Sequence, residues 1–407
     1  MKKTILTVLL CAALLLLGAC GAPKLITQPA ETGPEPTPVP TATPEPTPEP
    51  TPEPVTLAGV LYEPDCTEAD WSALTHADLE AALAALEKLD KLERVTLGEK
   101  GEGEDALTFV DVAQMTALRP DVAFDLGFTL YGDHFTTLDE EMDLAFLDLE
   151  GDDSQVREVL PCMQRLRFLN MDTCNIPDEV MAQLRDDFPA VKIVWRVYMG
   201  RDGDHYYGAR TDAVRILISD GYNPLRSEDV KGLKYCTDVV YLDIGHNTID
   251  DISFISYMPK LEVAILGLNT WSDASPIADC PELEYLEIHE TRVADLTPLT
   301  GLSKLRHLNV CNTPMVTDYR VLEVLTGLER LWVGHANPII YDELEEMEAA
   351  MPNTEIFVHA HEPYTTTIYW RQDNERYLLL REQMGYDKPY ELIFSYPEAD
   401  ETYRGHH

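Results

Sequence analysis

Three groups of residues carry side chains at spacings that chemistry could use. "HAHEP" places His359 and His361 on one side of an extended chain with Glu362 beside them, donors suited to zinc. "RDGDHYYG", residues 201–208, holds Asp202 and Asp204 in a glycine turn, the opening of a calcium loop without its remaining ligands. His246, His289 and His335 sit in different copies of a repeat described below and form no compact ligand cluster. Ordinary surface residues and a solvated turn account for the first two groups better than metal does. The sequence also has no G-x-S-x-G, no H-E-x-x-H and no glycine-rich phosphate loop. The expectation is therefore a protein that is not an enzyme and takes no cofactor or metal, with an envelope metal-dependent hydrolase the least favoured alternative.

The fourth reactive group is a cysteine near the start. Lys2 and Lys3 precede an apolar run from Ile5 to Leu17, and Leu17-Gly18-Ala19-Cys20 closes it with small residues. The run is shorter than the roughly 18 residues of a membrane-spanning helix. Its ending resembles the lipobox of bacterial lipoproteins. That resemblance implies removal of residues 1–19 and acylation of Cys20, which would hold the protein by membrane lipid on the outer face of a bacterial membrane. Residues 33–54, "GPEPTPVPTATPEPTPEPTPEP", have proline at almost every second position and mutually repelling glutamates. Such a segment builds no core and favours polyproline II. From Cys20 to Pro54 it spans on the order of 100 Å as a stalk.

The formal net charge is −41, and two units more negative once Lys2 and Lys3 leave. No basic patch suited to phosphate contact is visible, so nucleic acid is not expected as a partner.

What positions the remaining polar residues is a repeat. Self-similar segments start at Val239, Leu261, Leu283, Leu305 and Leu328, at intervals of 22, 22, 22 and 23 residues. Numbered from each start, slots 4 and 6 are apolar, as Leu286 and Ile288, and predict a short strand with one buried face. Slot 9 holds Asn247, Asn269, Thr291 and Thr313, whose side chains can satisfy backbone groups of neighbouring rungs. Slots 11, 14, 17 and 20 are apolar at three-residue spacing, which suits a 3₁₀ return. "SP" at 275 and "TP" at 297 predict hydroxyl caps at the start of that return. The pattern closely resembles the 22-residue repeats of bacterial internalins, which implies a leucine-rich repeat solenoid, an α/β fold with a curved parallel sheet on its concave side and helical or 3₁₀ segments on its convex side.

The N-terminal half carries the same idea with helical connections. "LERVTL" from Leu92, "LAFLDL" from Leu144 and "LRFLNM" from Leu166 predict strands, the last leading to Cys174 at slot 9. "DLEAALAALEKLDKL", "DEVMAQLRDDF" and "DELEEMEAAM" have helical periodicity, and a helix that ends at Pro120, Pro189 or Pro352 is followed by an apolar strand. The expected order is a signal peptide (1–19), a lipidated cysteine and linker (20–55), irregular repeat units (56–212), compact repeats (213–360) and a C-terminal cap and tail (361–407), with 56–360 one continuous solenoid.

The six cysteines beyond Cys20 can be judged by slot. Cys236 and Cys280 share slot 20 two repeats apart, roughly 10 Å at strand spacing, beyond the roughly 7 Å a disulfide bridges. Buried thiols are expected, with Cys311, at a slot read as exposed, the reactive one.

Strand residues left out of the core define a concave face: Tyr241, Asp243, Val263, Ile265, Leu268, Tyr285, Glu287, His289, His307, Asn309, Arg330 and Trp332. Aromatics, an apolar patch and an arginine make a composition suited to recognition rather than to solubility alone. The function expected is that of a surface protein binding a protein or glycan through this face; a non-binding envelope scaffold is the alternative.

Overall fold

The computed structural model describes residues 53–200, 206–219, 224–334, 338–358 and 402–405. The signal peptide, Cys20, the stalk before residue 53 and the cap residues 361–401 lie outside the described residues, as do Asp202, Asp204, His335, His359, His361 and Glu362. No described helix is long and apolar enough to cross a membrane.

A stack of short parallel strands dominates. The longest sheet has seven, in chain order: Arg215–Leu217, Tyr241–Asp243, Val263–Ile265, Tyr285–Glu287, His307–Asn309, Arg330–Trp332 and Glu355–Phe357. Every neighbour is parallel, and the first residues Tyr241, Val263, Tyr285, His307 and Arg330 stand in one row. Parallel neighbours require a return across the stack, and each return between the middle strands is one 3₁₀ turn: Ser253–Tyr257, Ser275–Asp279, Thr297–Gly301 and Arg320–Val324. This is a leucine-rich repeat solenoid. In one rung Leu283, Leu286, Ile288, Val293, Leu296, Leu299 and Leu302 are all buried. Each contributes about 1.5–3 kcal/mol of transfer free energy, and one apolar cluster runs from Leu57 to Val358.

The corners show how the backbone is satisfied. Asn247 Oδ1 accepts from Leu225 N at 2.8 Å, and its amide donates to Ile218 O in the preceding rung at 2.7 Å. Asn269 repeats this with Ile249 N and Ile244 O. Thr291 and Thr313 bond only within their own rung, to Ile288 O and Val310 O. One slot earlier the chain turns through left-handed backbone at Phe146, Thr173, His246, Leu268, Glu290 and Asn312, with φ from 50° to 65°. The N–H groups of Phe146, His246, Leu268, Glu290 and Asn312 donate to a carbonyl of the next rung.

Three expectations are corrected. The 3₁₀ returns are not capped by the hydroxyls of Ser275 and Thr297; Asp273 and Asp295 instead accept from the backbone N–H of those residues, both at 2.8 Å. A carboxylate two residues ahead already folds back onto that N–H, so the hydroxyl is not needed. The strand read in "LAFLDL" lies earlier, at Glu141–Asp143, because Met142 and Leu144 take the inward slots while Phe146 takes the left-handed corner. The parallel ladder is not continuous. Glu68–Asp70, Arg94–Glu99 and Ala123–Leu130 are parallel, but Asp133–Thr136 turns back antiparallel; Glu141–Asp143, Phe168–Asn170 and Lys192–Val194 form a separate parallel sheet. The first break is a hairpin through Tyr131 and Gly132, both at positive φ as a two-residue I′ turn requires. The second is the antiparallel pair Arg196–Met199 and Tyr206–Arg210, which Thr402–Gly405 joins as a third strand.

Helices form within the periodic segments, at Leu79–Leu86, Asp178–Asp187 and Ile340–Ala350, but the first stops at Leu86, short of the Leu92 at which its periodic segment ends. Strands follow the prolines at Ala123, Lys192 and Glu355.

Candidate functional site

Each three-residue strand points its middle side chain into the core and its first and third outward. Register therefore builds two outer rows: Tyr241, Val263, Tyr285, His307 and Arg330, then Asp243, Ile265, Glu287, Asn309 and Trp332. Adjacent members are about 4.8 Å apart along the sheet. Leu217 extends one end and Phe357 the other. Both flanking strands escaped the sequence reading of the outer face, because their offsets from the regular rungs are 26 residues (Arg215 to Tyr241) and 25 (Arg330 to Glu355).

The centre of these rows is polar and tightly connected. Tyr285 donates its hydroxyl to Glu287 at 2.5 Å. Glu287 stands 3.4 Å from His289 Nδ1, and the rings of Tyr285 and His307 are 5.8 Å apart. The His289 imidazole lies directly over Gly267, where any Cβ would collide with the ring. Asn309 Oδ1 accepts from Cys311 N at 3.0 Å, and Asp243 makes the same turn with Gly245 N. Toward the C-terminal edge, Trp332 stacks on Phe357 at 5.2 Å, and Arg330 lies over Phe357 and faces Glu355 at 3.4 Å.

The outer face is not open to water as its composition suggested. Asp243, Val263, Ile265, Tyr285, Glu287, His289, His307, Asn309 and Trp332 are buried, with Glu287 fully so, and only Tyr241, Leu268 and Arg330 are half-exposed. Leu217, Val263, Ile265, Tyr285, Cys311 and Trp332 form a second apolar cluster separate from the main core. A strand of three residues is too short for its alternation to distinguish a solvated outer face from a covered one; strands buried on both faces instead read as continuous apolar runs, as Val263-Ala264-Ile265 does. Cys311 is corrected for the same reason: it is buried, and burial pushes its thiol pKa well up, away from reactivity. The described cysteines are all free thiols, and Cys66 alone among them is half-buried rather than buried.

Among the described residues no cluster of three His, Cys, Asp or Glu side chains could hold a metal ion. Tyr285, Glu287, His289 and His307 form a buried polar group on this face, with Glu287 its buried acid.

No protein-family model matches the sequence, and neither does any curated protein. Among solved structures, the chain is similar to an internalin (InlF) of Listeria monocytogenes, with 21% identity over 68% of this chain and 64% of that one and a TM-score of 0.33. Internalin C2 of the same organism shows 19% identity over 70% of this chain and 93% of its own, with a TM-score of 0.30. A leucine-rich repeat protein of Leptospira interrogans shows 16% identity over 66% and 73%, with a TM-score of 0.33. The chain thus spans less than two thirds of the length of the first internalin. These likenesses are distant, and the assignment of the fold rests on the strand ladder itself.

Proposed function

We propose that this is a lipid-anchored protein of the bacterial cell surface that recognises a protein or glycan partner through the outer face of its seven-stranded sheet. One observation supports this reading above others: Tyr285, Glu287, His289, His307 and Asn309 are buried together on a face where packing alone would be served by apolar residues. A carboxylate and two imidazoles taken out of water cost several kcal/mol unless each is well paired. A polar network held in fixed geometry in the middle of the sheet favours specific recognition over simple packing. A partner first meets the half-exposed Tyr241, Leu268 and Arg330, and it reaches the central group by exchanging the hydrogen bonds that group already makes. The anchor at Cys20 and the proline-rich stalk would carry this face away from the lipid.

The test is capture of surface partners by immobilised protein, comparing the natural chain with Tyr285→Phe combined with Glu287→Gln. Both substitutions keep shape and remove the hydroxyl and the charge. Specific neighbours should be lost by a variant that still unfolds in one cooperative transition. Equal recovery by the folded variant would remove the proposal in favour of an envelope scaffold.

A further inference from the structure

A second site lies away from the outer face of the seven-stranded sheet, at the break that follows Lys192–Val194. The left-handed corner residues Phe146, His246, Leu268, Glu290 and Asn312 each send their N–H to a carbonyl of the next rung. Thr173 occupies the same corner, at φ 61°, but its N–H meets no carbonyl among the described residues. The cause is local. Arg196 stands where the acceptor would be, and the chain has already left the ladder, with Trp195 O taken by Thr211 N at 2.8 Å.

A cavity of about 310 Å³ opens at this point, lined by Thr173, Asn175, Ile176, Asp178, Arg196 and Tyr198 among others. Arg196 holds Asp172 through Nε and Nη2 at 2.8 and 2.7 Å, while its Nη1 is buried and without a partner. Two unused donors, the Thr173 N–H and Arg196 Nη1, thus belong to residues lining one cavity. Acceptors belong to its other lining residues. Asn175 spends its amide nitrogen on Asp148 at 2.9 Å, which leaves its oxygen free to accept, and Asp178 takes the Trp195 indole N–H on Oδ1 alone. Met171, Ile176 and Met181 supply an apolar wall.

Charge narrows the ligand. Asp172 already neutralises Arg196, and the carboxylate of Asp178 repels anions, so the donors are not a site for phosphate or carboxylate. A neutral group with a carbonyl to accept, an N–H to donate and a methyl to pack matches the lining on all three counts. We propose that this cavity binds an N-acetylhexosamine, taking its uncharged acetamido group against the donors and its ring hydroxyls at the rim. A single sugar residue suits the volume, which stands at the small end of ligand cavities. Ring hydroxyls would meet the rim at the Tyr198 hydroxyl, which reaches Thr173 Oγ1 at 3.1 Å.

The proposal is independent of partner binding at the seven-stranded sheet, and its test needs no partner. Amide resonances of the purified full-length protein are followed during titration with N-acetylglucosamine, glucose, acetate and N-acetylalanine N′-methylamide. N-acetylglucosamine should move the Thr173 amide signal saturably and glucose should not. Ile176→Trp, which fills the cavity, should weaken that binding about tenfold or more. Asn175→Gly, which removes an acceptor while tolerating the left-handed backbone at φ 54°, should weaken it without altering the fold. No response of Thr173 to N-acetylglucosamine overturns the proposal. So does an equal response to glucose, a stronger one to acetate, or an equal one to the peptide mimic.

Discussion

Replacing Asn269 by alanine tests how the stack is held. Its Oδ1 accepts from Ile249 N at 3.0 Å, and its Nδ2 donates to Ile244 O at 2.9 Å and Leu266 O at 3.1 Å. The residue is buried, so water cannot replace these partners. Alanine leaves the Ile249 N–H and the carbonyls of Ile244, Leu266 and Gly267 without a side-chain partner, and each unsatisfied buried group costs about 1–3 kcal/mol. Carbonyls with a second hydrogen bond lose least, so about 3–4 kcal/mol is expected in total. Threonine is the informative comparison, because Thr291 and Thr313 occupy this slot and donate to the carbonyl three residues back. Asn269→Thr should recover the bond to Leu266 O and cost about 1–2 kcal/mol less than alanine. Urea unfolding gives the difference, and amide exchange at Ile249 localises it. If alanine costs under about 1 kcal/mol, or no more than threonine, the corner ladder does not carry the stability assigned to it.

Phe146 is 77% exposed and held at φ 65°, so Phe146→Gly should raise stability by about 0.5–1 kcal/mol, read as a higher melting temperature, while Phe146→Ala should not. In native thiol labelling with a maleimide, Cys66 should react first and Cys162, Cys174, Cys236, Cys280 and Cys311 only on unfolding; early labelling of Cys311 would contradict the burial of the outer face. Burial alone would raise the Asp172 carboxyl pKa, but the paired bonds and charge of Arg196 outweigh it and hold it below its usual value. A depressed folded pKa contributes stability that is present above the unfolded value of about 3.9 and is lost as pH falls through the folded one. Asp172→Asn should therefore destabilise the protein at neutral pH and flatten the acid limb of its stability curve, followed by urea unfolding at several pH values.

The rungs from Val239 onward are legible because inward slots must be apolar and the corner must be polar, whatever the partner. Leu286, Ile288 and Asn269 could only have these roles. Register in the N-terminal half is less so, since "DLAFLDL" offers two overlapping apolar alternations and only the left-handed turn at Phe146 selects one. Breaks in the ladder come at Tyr131-Gly132 and after Val194, where apolar spacing does not distinguish an antiparallel partner from the next rung. The slots place the outer rows of the regular rungs, but the burial of those rows depends on what lies across the sheet, and spacing within a strand carries no information about that. The unused donors at Thr173 and Arg196 likewise follow from a missing neighbour, which no local pattern records.

The most direct test of the central claim is proximity labelling on intact cells, with the natural protein compared to the Tyr285→Phe and Glu287→Gln double variant at equal surface abundance. The proposed function predicts a defined set of labelled neighbours around the natural protein that the variant loses. The same neighbours around both would contradict recognition through this face.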